Sequence, residues 1–430
     1  MRIHYSAPAH VRDILAKLGR TEDVRFSPSR RRLAVASFHR NRIAIFDVSI
    51  TSAPVPGPGG PSGASEPSEA SKPPRASVSL TDAFELCSAA IKRPHGVDFI
   101  DDDTIVVANR FGGVTAFQLP AAGVRRGLLR RLPIEVIRSP AVQTPGSLCV
   151  VNPGENPVEL WVCNNYSHRV TKHELALGRP DASRQPRIMM QKWLDVPDGV
   201  SVSADAQWIA ISNHSAHAVY LYENASSLGA ASNPVGILRG LRYPHGLRFT
   251  SGDRLLMVAD AGAPYVHFYA SDQAGWCGVR YPLVSLRALS QPDFSSGRKS
   301  PFEGGPKGID FDPPSRVLVT SCEMQPLAFF DLSQLFQDTP LGHLADNPRT
   351  NDGSDGFHPS LKSAWDPESA DEHLGSLDQR RLEVACELEL RAKTEASVAL
   401  WKSKASRAAY RRLTAPLRWA SFTVRSLKSD

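Results

Sequence analysis

Cysteine is scarce. The 430 residues hold six, Cys87, Cys149, Cys163, Cys277, Cys322 and Cys386, with no C-x-x-C among them. Four sit in or beside apolar β-like runs, the pattern of reduced, buried thiols in a reducing compartment. A continuous apolar run of ~18 residues is lacking, so no segment reads as a transmembrane helix. The N-terminal stretch MRIHYSAPAHVRDILAKLGR lacks the apolar centre of a secretory signal. Basic charge is lacking over most of the chain. The net charge is +6, but from Leu400 onward eight Lys/Arg stand against one acid, a balance of +7, so the remaining residues sum to −1. That distribution argues against a nucleic-acid partner. The expected protein is cytoplasmic.

What is present is a repeat. Pro94-His95-Gly96-Val97-Asp98-Phe99 and Pro244-His245-Gly246-Leu247-Arg248-Phe249 share a Pro-x-Gly start and an apolar alternation. Weaker copies begin at Thr21 (TEDVRF), Pro145 (PGSLCV), Pro197 (PDGVSV) and Pro306 (PKGIDF). Each is followed by a second apolar run ending on a polar residue: Ser37, Asn109, Asn164, Asn213, Asp260 and Ser321. Intervals of about 50 residues with four strands each are the signature of propeller blades. The expected fold is all-β, a six-bladed β-propeller over residues 21–335, with a C-terminal helical, basic tail. Blade six lacks an obvious fourth strand, and residues 1–20 are a lead-in from which Arg2–Ser6 is expected to supply it, because closure removes exposed sheet edges.

Residues 51–78, nearly all Pro, Gly, Ser, Ala and Glu, are too polar to bury a core and read as a disordered insertion. Blade one is thereby left with three strands. Residues 336–375 read as a linker. Residues 376–430 read as the tail, with a capping box at Ser376-Leu377-Asp378-Gln379 and a helix-favouring run from Leu382 to Leu400. Beyond it, aromatic and basic residues interleave, which suits an anionic membrane surface at the inner face of the membrane, a protein partner, or docking on the propeller rim.

In a propeller the first strand of each blade lines the central channel. The x of Pro-x-Gly then forms a ring: Glu22, His95, Gly146, Asp198, His245 and Lys307. The Gly or Asp after x is expected to let the backbone turn in tightly. The polar ends of the second strands form a nearby set, which either faces a ligand or hydrogen-bonds turns. A small-molecule or glycan ligand in the channel is expected at His245, Lys307, Asn109, Asn164, Asn213 and Asp260.

These motifs resemble the calcium-dependent six-bladed propellers, the gluconolactonase-like proteins and paraoxonases, and the broader NHL-repeat class. The resemblance implies metal ligands from the x column, at Glu22 and Asp198, and it implies an active-site histidine at His95. The ring also departs from that pattern, with Gly146, His245 and Lys307 in place of simple oxygen donors. Two histidines with two carboxylates suit Zn²⁺, Mn²⁺ or Fe²⁺ better than Ca²⁺, which takes six or more oxygens. The stretch from Tyr410 to Trp419, YRRLTAPLRW, resembles a tail of bacterial surface-polysaccharide biosynthesis proteins. Two functions follow. One is a non-catalytic propeller that binds a glycan, an anionic small molecule or a protein partner in that setting. The other is a divalent-metal-dependent lactonase or esterase with its site in the channel.

Overall fold

The computed structural model describes residues 2–52, 76–123, 127–178, 186–250, 252–298 and 302–338, together with eight helical residues between 380 and 392. Six sheets, each antiparallel across its first four strands, make the six blades. Their innermost strands are Thr21–Phe26, Pro94–Asp101, Pro145–Val151, Pro197–Val202, Pro244–Phe249 and Gly308–Asp312. The second strands are Arg32–Ser37, Thr104–Asn109, Val158–Asn164, Trp208–Asn213, Leu255–Asp260 and Val317–Ser321. Four of these second strands, in blades one, two, four and five, are buried along every one of their six residues. Each is sandwiched between neighbouring blades on both faces, which is why LAVA, IVVA and LMVA read as continuous apolar runs and not as alternations. Outer strands touch a neighbour less fully and alternate, as Val284–Arg287 does in blade five.

The core lies between blades. One cluster joins Trp161, Cys163 and Met190 of blade three to Ile209, Tyr220 and Tyr222 of blade four. Another joins Ile43 and Leu86 of blade one to Val97 and Phe117 of blade two. Each such side chain contributes about 1.5–3 kcal/mol when fully buried, so blade order and ring closure are held by the same contacts.

The N-terminal segment closes the ring. Arg2–Ile3 pairs antiparallel with Ala328–Asp331 of blade six, Arg2 opposite Phe330 and Ile3 opposite Phe329. Tyr5 packs edge-on against Phe329, with ring centroids 5.4 Å apart. The expectation for blade one needs correction. Its fourth strand is Ser77–Cys87, paired along Arg42–Thr51, so the expected insertion takes in strand residues at both ends. Residues 53–75 lie outside the described set. The bulge between Asp47 and Val48 breaks the register of that long hairpin, and with it the alternation in the sequence.

Two further strands had no readable signal. Gly127–Arg130 adds in parallel to Phe84–Cys87, and Gly278–Arg280 adds in parallel to Gly236–Leu238. Each gives its blade a fifth strand and covers an open edge. Four and three residues are too few to show a period.

Part of the tail's helical run is docked on the propeller. Val384 and Leu388 are buried in the cluster of blades three and four. Arg380 pairs with Asp272 at 2.6 Å, and Arg391 reaches the Tyr220 hydroxyl and lies 3.7 Å from Asp195. Steps of four, four and three put these residues on one helix face. The expected linker starts too early, since residues 336–338 belong to the helix Ser333–Asp338 and Phe336 is buried in the core; residues 339–375 and 393–430 lie outside the described set. Among the described residues no helix is long and apolar enough to cross a membrane.

Deleting residues 1–6 should remove the closing strand and the Ile3 and Tyr5 contacts, at a cost of about 3 kcal/mol or more. Thermal melts of the full and shortened chains check this, and an unchanged midpoint would count against the closure.

Candidate functional site

The channel mouth is built by a bulge. In five blades the first residue of the inner strand pairs with the polar last residue of the second strand, for example Pro94 with Asn109 and Pro197 with Asn213, and the register then shifts. The shift turns x and the residue three further on toward the axis. The glycine after x serves a different purpose from the expected tight turn, since none of these glycines has positive φ. A Cβ on Gly96 would stand 2.7 Å from the Gly146 carbonyl oxygen, and one on Gly246 would stand 2.5 Å from the Lys307 carbonyl oxygen. The glycines let adjacent inner strands approach closely.

Five of the six ring positions bring polar side chains together at the mouth. The sixth is Gly146, and there a Cβ would collide with the side-chain amide of Asn165. Asn165 fills the seat, donating from Nδ2 to Asp198 Oδ1 at 2.9 Å while its Oδ1 has no partner. The working ring is therefore Glu22, His95, Asn165, Asp198, His245 and Lys307, all buried.

The histidines stack at its centre, with ring centroids 5.2 Å apart and planes 20° from parallel. His95 Nε2 lies 3.7 Å from Glu22 Oε2, and His95 Nδ1 lies 3.7 Å from Asp198 Oδ1. His245 Nε2 lies 3.1 Å from Asp198 Oδ2 and 3.6 Å from Glu22 Oε2. Lys307 Nζ lies 2.8 Å from Glu303 Oε2 and 3.1 Å from Glu22 Oε2. Arg20 bonds Glu22 Oε1, and His214 Nε2 lies 3.1 Å from Glu303 Oε1.

Charge follows from this geometry. Burial pushes Glu22 upward, but Lys307, His95 and Arg20 more than offset it and hold its carboxyl well below the usual range. Asp198 is likewise held low against burial by His245, His95 and Arg110. Burial first, and Arg110 second, push His95 down to about 3. Burial also lowers His245. Lys307 is raised, because Glu22 and Glu303 outweigh its burial. The ring thus holds ionised carboxylates, neutral imidazoles and its own ammonium.

Three residues further along each inner strand lies a second layer: Arg25, Asp98, Cys149, Ser201, Arg248 and Asp310. Asp98 accepts from Val150 N of blade three at 2.9 Å, Asp310 accepts from Phe26 N of blade one at 2.7 Å, and Ser201 accepts from Phe249 N of blade five at 3.4 Å. Arg25 Nε lies 3.9 Å from Asp98, and Arg248 Nε lies 3.5 Å from Asp310. These side chains tie each blade to the next and pack the channel beneath the ring.

The polar ends of the second strands face loops. Asn109, Asn164 and Asn213 accept from the backbone N–H of Lys92, Gln143 and Asp195 at 2.9, 2.9 and 2.5 Å. Each accepted N–H lies two residues before the Pro of Pro-x-Gly, and the residue between, Arg93, Thr144 or Val196, is left-handed. The amide clamps a turn that these residues disfavour. Asp260 accepts from Arg242 and Tyr243 N–H, each at 2.8 Å. Loop bonding therefore accounts for the polarity of all four residues without a ligand. The residues that do reach the mouth come one position later, at Arg110, Asn165 and His214. Shifting the sequence column by one would have found them. Glu303 and Arg20 carried no repeat signal.

Around the mouth, Phe38 meets His95 edge-on, with centroids 6.0 Å apart. Tyr243 packs on His214 and on Phe302. Arg110 lies over the Tyr166 ring at 5.2 Å, with a buried Nε that has no hydrogen-bond partner. Phe111, Tyr166 and Phe302 are exposed. A separate cleft of about 580 Å³ at the outer edge of blade six, lined by Arg2, His4, Tyr5 and Arg12 among others, is remote from this chemistry.

A calcium ion fits the ring poorly. Its two carboxylates, Glu22 and Asp198, stand on opposite edges of His95, Lys307 already compensates Glu22, and Asn165 Oδ1 adds one neutral oxygen, short of the six or more that calcium takes. A two-histidine, one-carboxylate set does converge, since ligand atoms of Glu22, His95 and His245 all lie within 4.8 Å of one another.

Replacing Asn213 by Ala should leave the Asp195 N–H unpaired and cost about 1–3 kcal/mol, read as a lower denaturation midpoint with the mouth residues unchanged. His173 gives a pH test in the body of blade three. Its Nε2 lies 2.9 Å from Thr171 Oγ1, and burial lowers it from the ordinary 6.5 to about 4. The unfolded chain therefore takes up a proton that the folded chain refuses. Stability is full above pH 6.5 and falls by roughly 3 kcal/mol as pH drops to about 4. His173→Gln should remove that part of the pH dependence, and an identical acid slope in both proteins would refute it.

No protein-family model matches the chain, and no curated protein matches it. Among solved structures it is similar to a functionally unknown protein from Desulfotomaculum acetoxidans DSM 771, at 11% identity and a TM-score of 0.43, covering 73% of this chain and 83% of that one. It is also similar to a putative gluconolactonase, at 11% identity and a TM-score of 0.43, covering 72% of this chain and 88% of that one. Likenesses this distant say nothing about activity. On its own strands and closure, the chain is an all-β, six-bladed propeller.

Proposed function

We propose that the channel mouth binds a polyhydroxylated ring ligand, a sugar or sugar acid, without catalysis and without a divalent metal. One observation carries this reading: a buried floor with two unpartnered polar atoms, His95 Nδ1 and Asn165 Oδ1, lies beside loops bearing Arg110, Tyr166 and Phe302. Buried acceptors without partners favour a ligand that brings hydroxyl donors. The exposed aromatic residues suit the apolar face of a sugar ring, and the Arg110 guanidinium, whose Nε has no hydrogen-bond partner, suits a carboxylate or phosphate. The likeness of the tail to those of surface-polysaccharide biosynthesis proteins favours a glycan or glycan precursor. In that setting the tail would contact a protein partner or an anionic membrane surface.

The convergence of Glu22, His95 and His245 favours a second reading, a divalent-metal-dependent lactonase or esterase. An ion held by Glu22 and His245 would supply polarisation of the carbonyl, and His95, left unbound beside it, would take the proton from the attacking water.

Calorimetric titration with glucose, glucuronate and glucose 6-phosphate separates the two, alongside elemental analysis of protein purified without chelator. The expected result is binding that favours the anionic sugars and weakens about tenfold or more in Arg110→Ala and Glu22→Gln. Stoichiometric metal with no heat from any of the three sugars would move the site to the hydrolase reading.

A further inference from the structure

Glu22 Oε2 sees three groups at once. Two are imidazole nitrogens, His95 Nε2 at 3.7 Å and His245 Nε2 at 3.6 Å. The third is the Lys307 ammonium at 3.1 Å. Donors bound to one ion at ~2.1 Å lie about 3.4–3.6 Å apart, so the carboxylate and the two imidazoles already stand close to metal-binding spacing. Asp198 Oδ2 lies 3.1 Å from His245 Nε2 but stands outside this converging set.

Lys307 is locked against this set. Its backbone N–H donates to Ser321 O at 2.9 Å, and its carbonyl accepts from Gly246 N at 2.9 Å, so both sides of its stem are pinned between blades five and six. Its head is held between Glu22 and Glu303 and the residue is 3% exposed. An ion bonded to Oε2 would stand no more than ~5 Å from that ammonium, and both residues are buried, so the two charges would be only weakly screened.

We infer that Glu22, His95 and His245 form a masked transition-metal site in which Lys307 is the resident cation. Lys307 neutralises the same carboxylate oxygen that an ion would use, so the wild-type ring works as a metal-free site. Removing the ammonium while keeping the fold unmasks a Zn²⁺- or Co²⁺-type site. The inference rests on the metal-free part of the proposed reading, and its readout involves no sugar.

Cobalt(II) titration of the full chain tests it, following the visible absorption of four-coordinate cobalt and the dissociation constant. Wild type and Lys307→Arg should show no saturable one-to-one site at micromolar cobalt. Lys307→Met and the near-isosteric Lys307→Gln should each take up one ion at least tenfold more tightly than wild type. The double variant Lys307→Met, Glu22→Gln should lose that gain, with folding followed by circular dichroism throughout. A wild-type chain that binds one cobalt tightly and loses it on Glu22→Gln would overturn the inference. So would a folded Lys307→Met or Lys307→Gln variant that gains nothing.

Discussion

Six inner strands converge on one axis, and their close approach is the constraint on which the rest depends. Between blades they share few main-chain hydrogen bonds, Gly246 N to Lys307 O being one. Side chains make most of the connection. Asp98, Ser201 and Asp310 each accept an N–H from the inner strand of the next blade. Glycines after the ring positions remove the Cβ atoms that would otherwise hold the strands apart. A ring of polar residues at the mouth is a consequence of this packing, because the bulge that brings the strands together also turns x toward the axis.

Burying so many charges requires that they compensate one another. Glu22, Asp198 and Glu303 are matched by Lys307, Arg20 and Arg110, and the histidines remain neutral under burial. Removing one member of such a set leaves its partner buried and unpaired, which is the costly case. The ring is therefore better described by which atoms stay unpartnered than by its list of residue types. His95 Nδ1 and Asn165 Oδ1 are those atoms. They lie where a ligand entering from the aromatic mouth would meet them.

Much of this was legible beforehand. The six-fold repeat, the ends of the second strands, the closing N-terminal strand and five of the ring side chains were all readable in the column of Pro-x-Gly copies. What was not readable has physical causes. The fourth strand of blade one adjoins a polar segment and carries a bulge in its hairpin. The two parallel fifth strands are too short to show a period. Gly146 looked like a gap in the ring because its filler, Asn165, comes from a different strand end. The recurring Asn residues looked like ligand groups, and their amides instead hold the left-handed loops before each inner strand.

The sequence by itself determined the count of blades and which positions reach the axis, because both follow from periodic patterning that each blade repeats locally. Only the tertiary structure decided what the axis contains. Whether Lys307 points at Glu22 or away, whether Asn165 fills the seat over Gly146, and whether Arg110 comes within electrostatic reach of Asp198 all depend on contacts between blades. Those contacts form only on closure, when residues as far apart as Glu22 and Lys307 come within 3.1 Å. No local pattern encodes that distance.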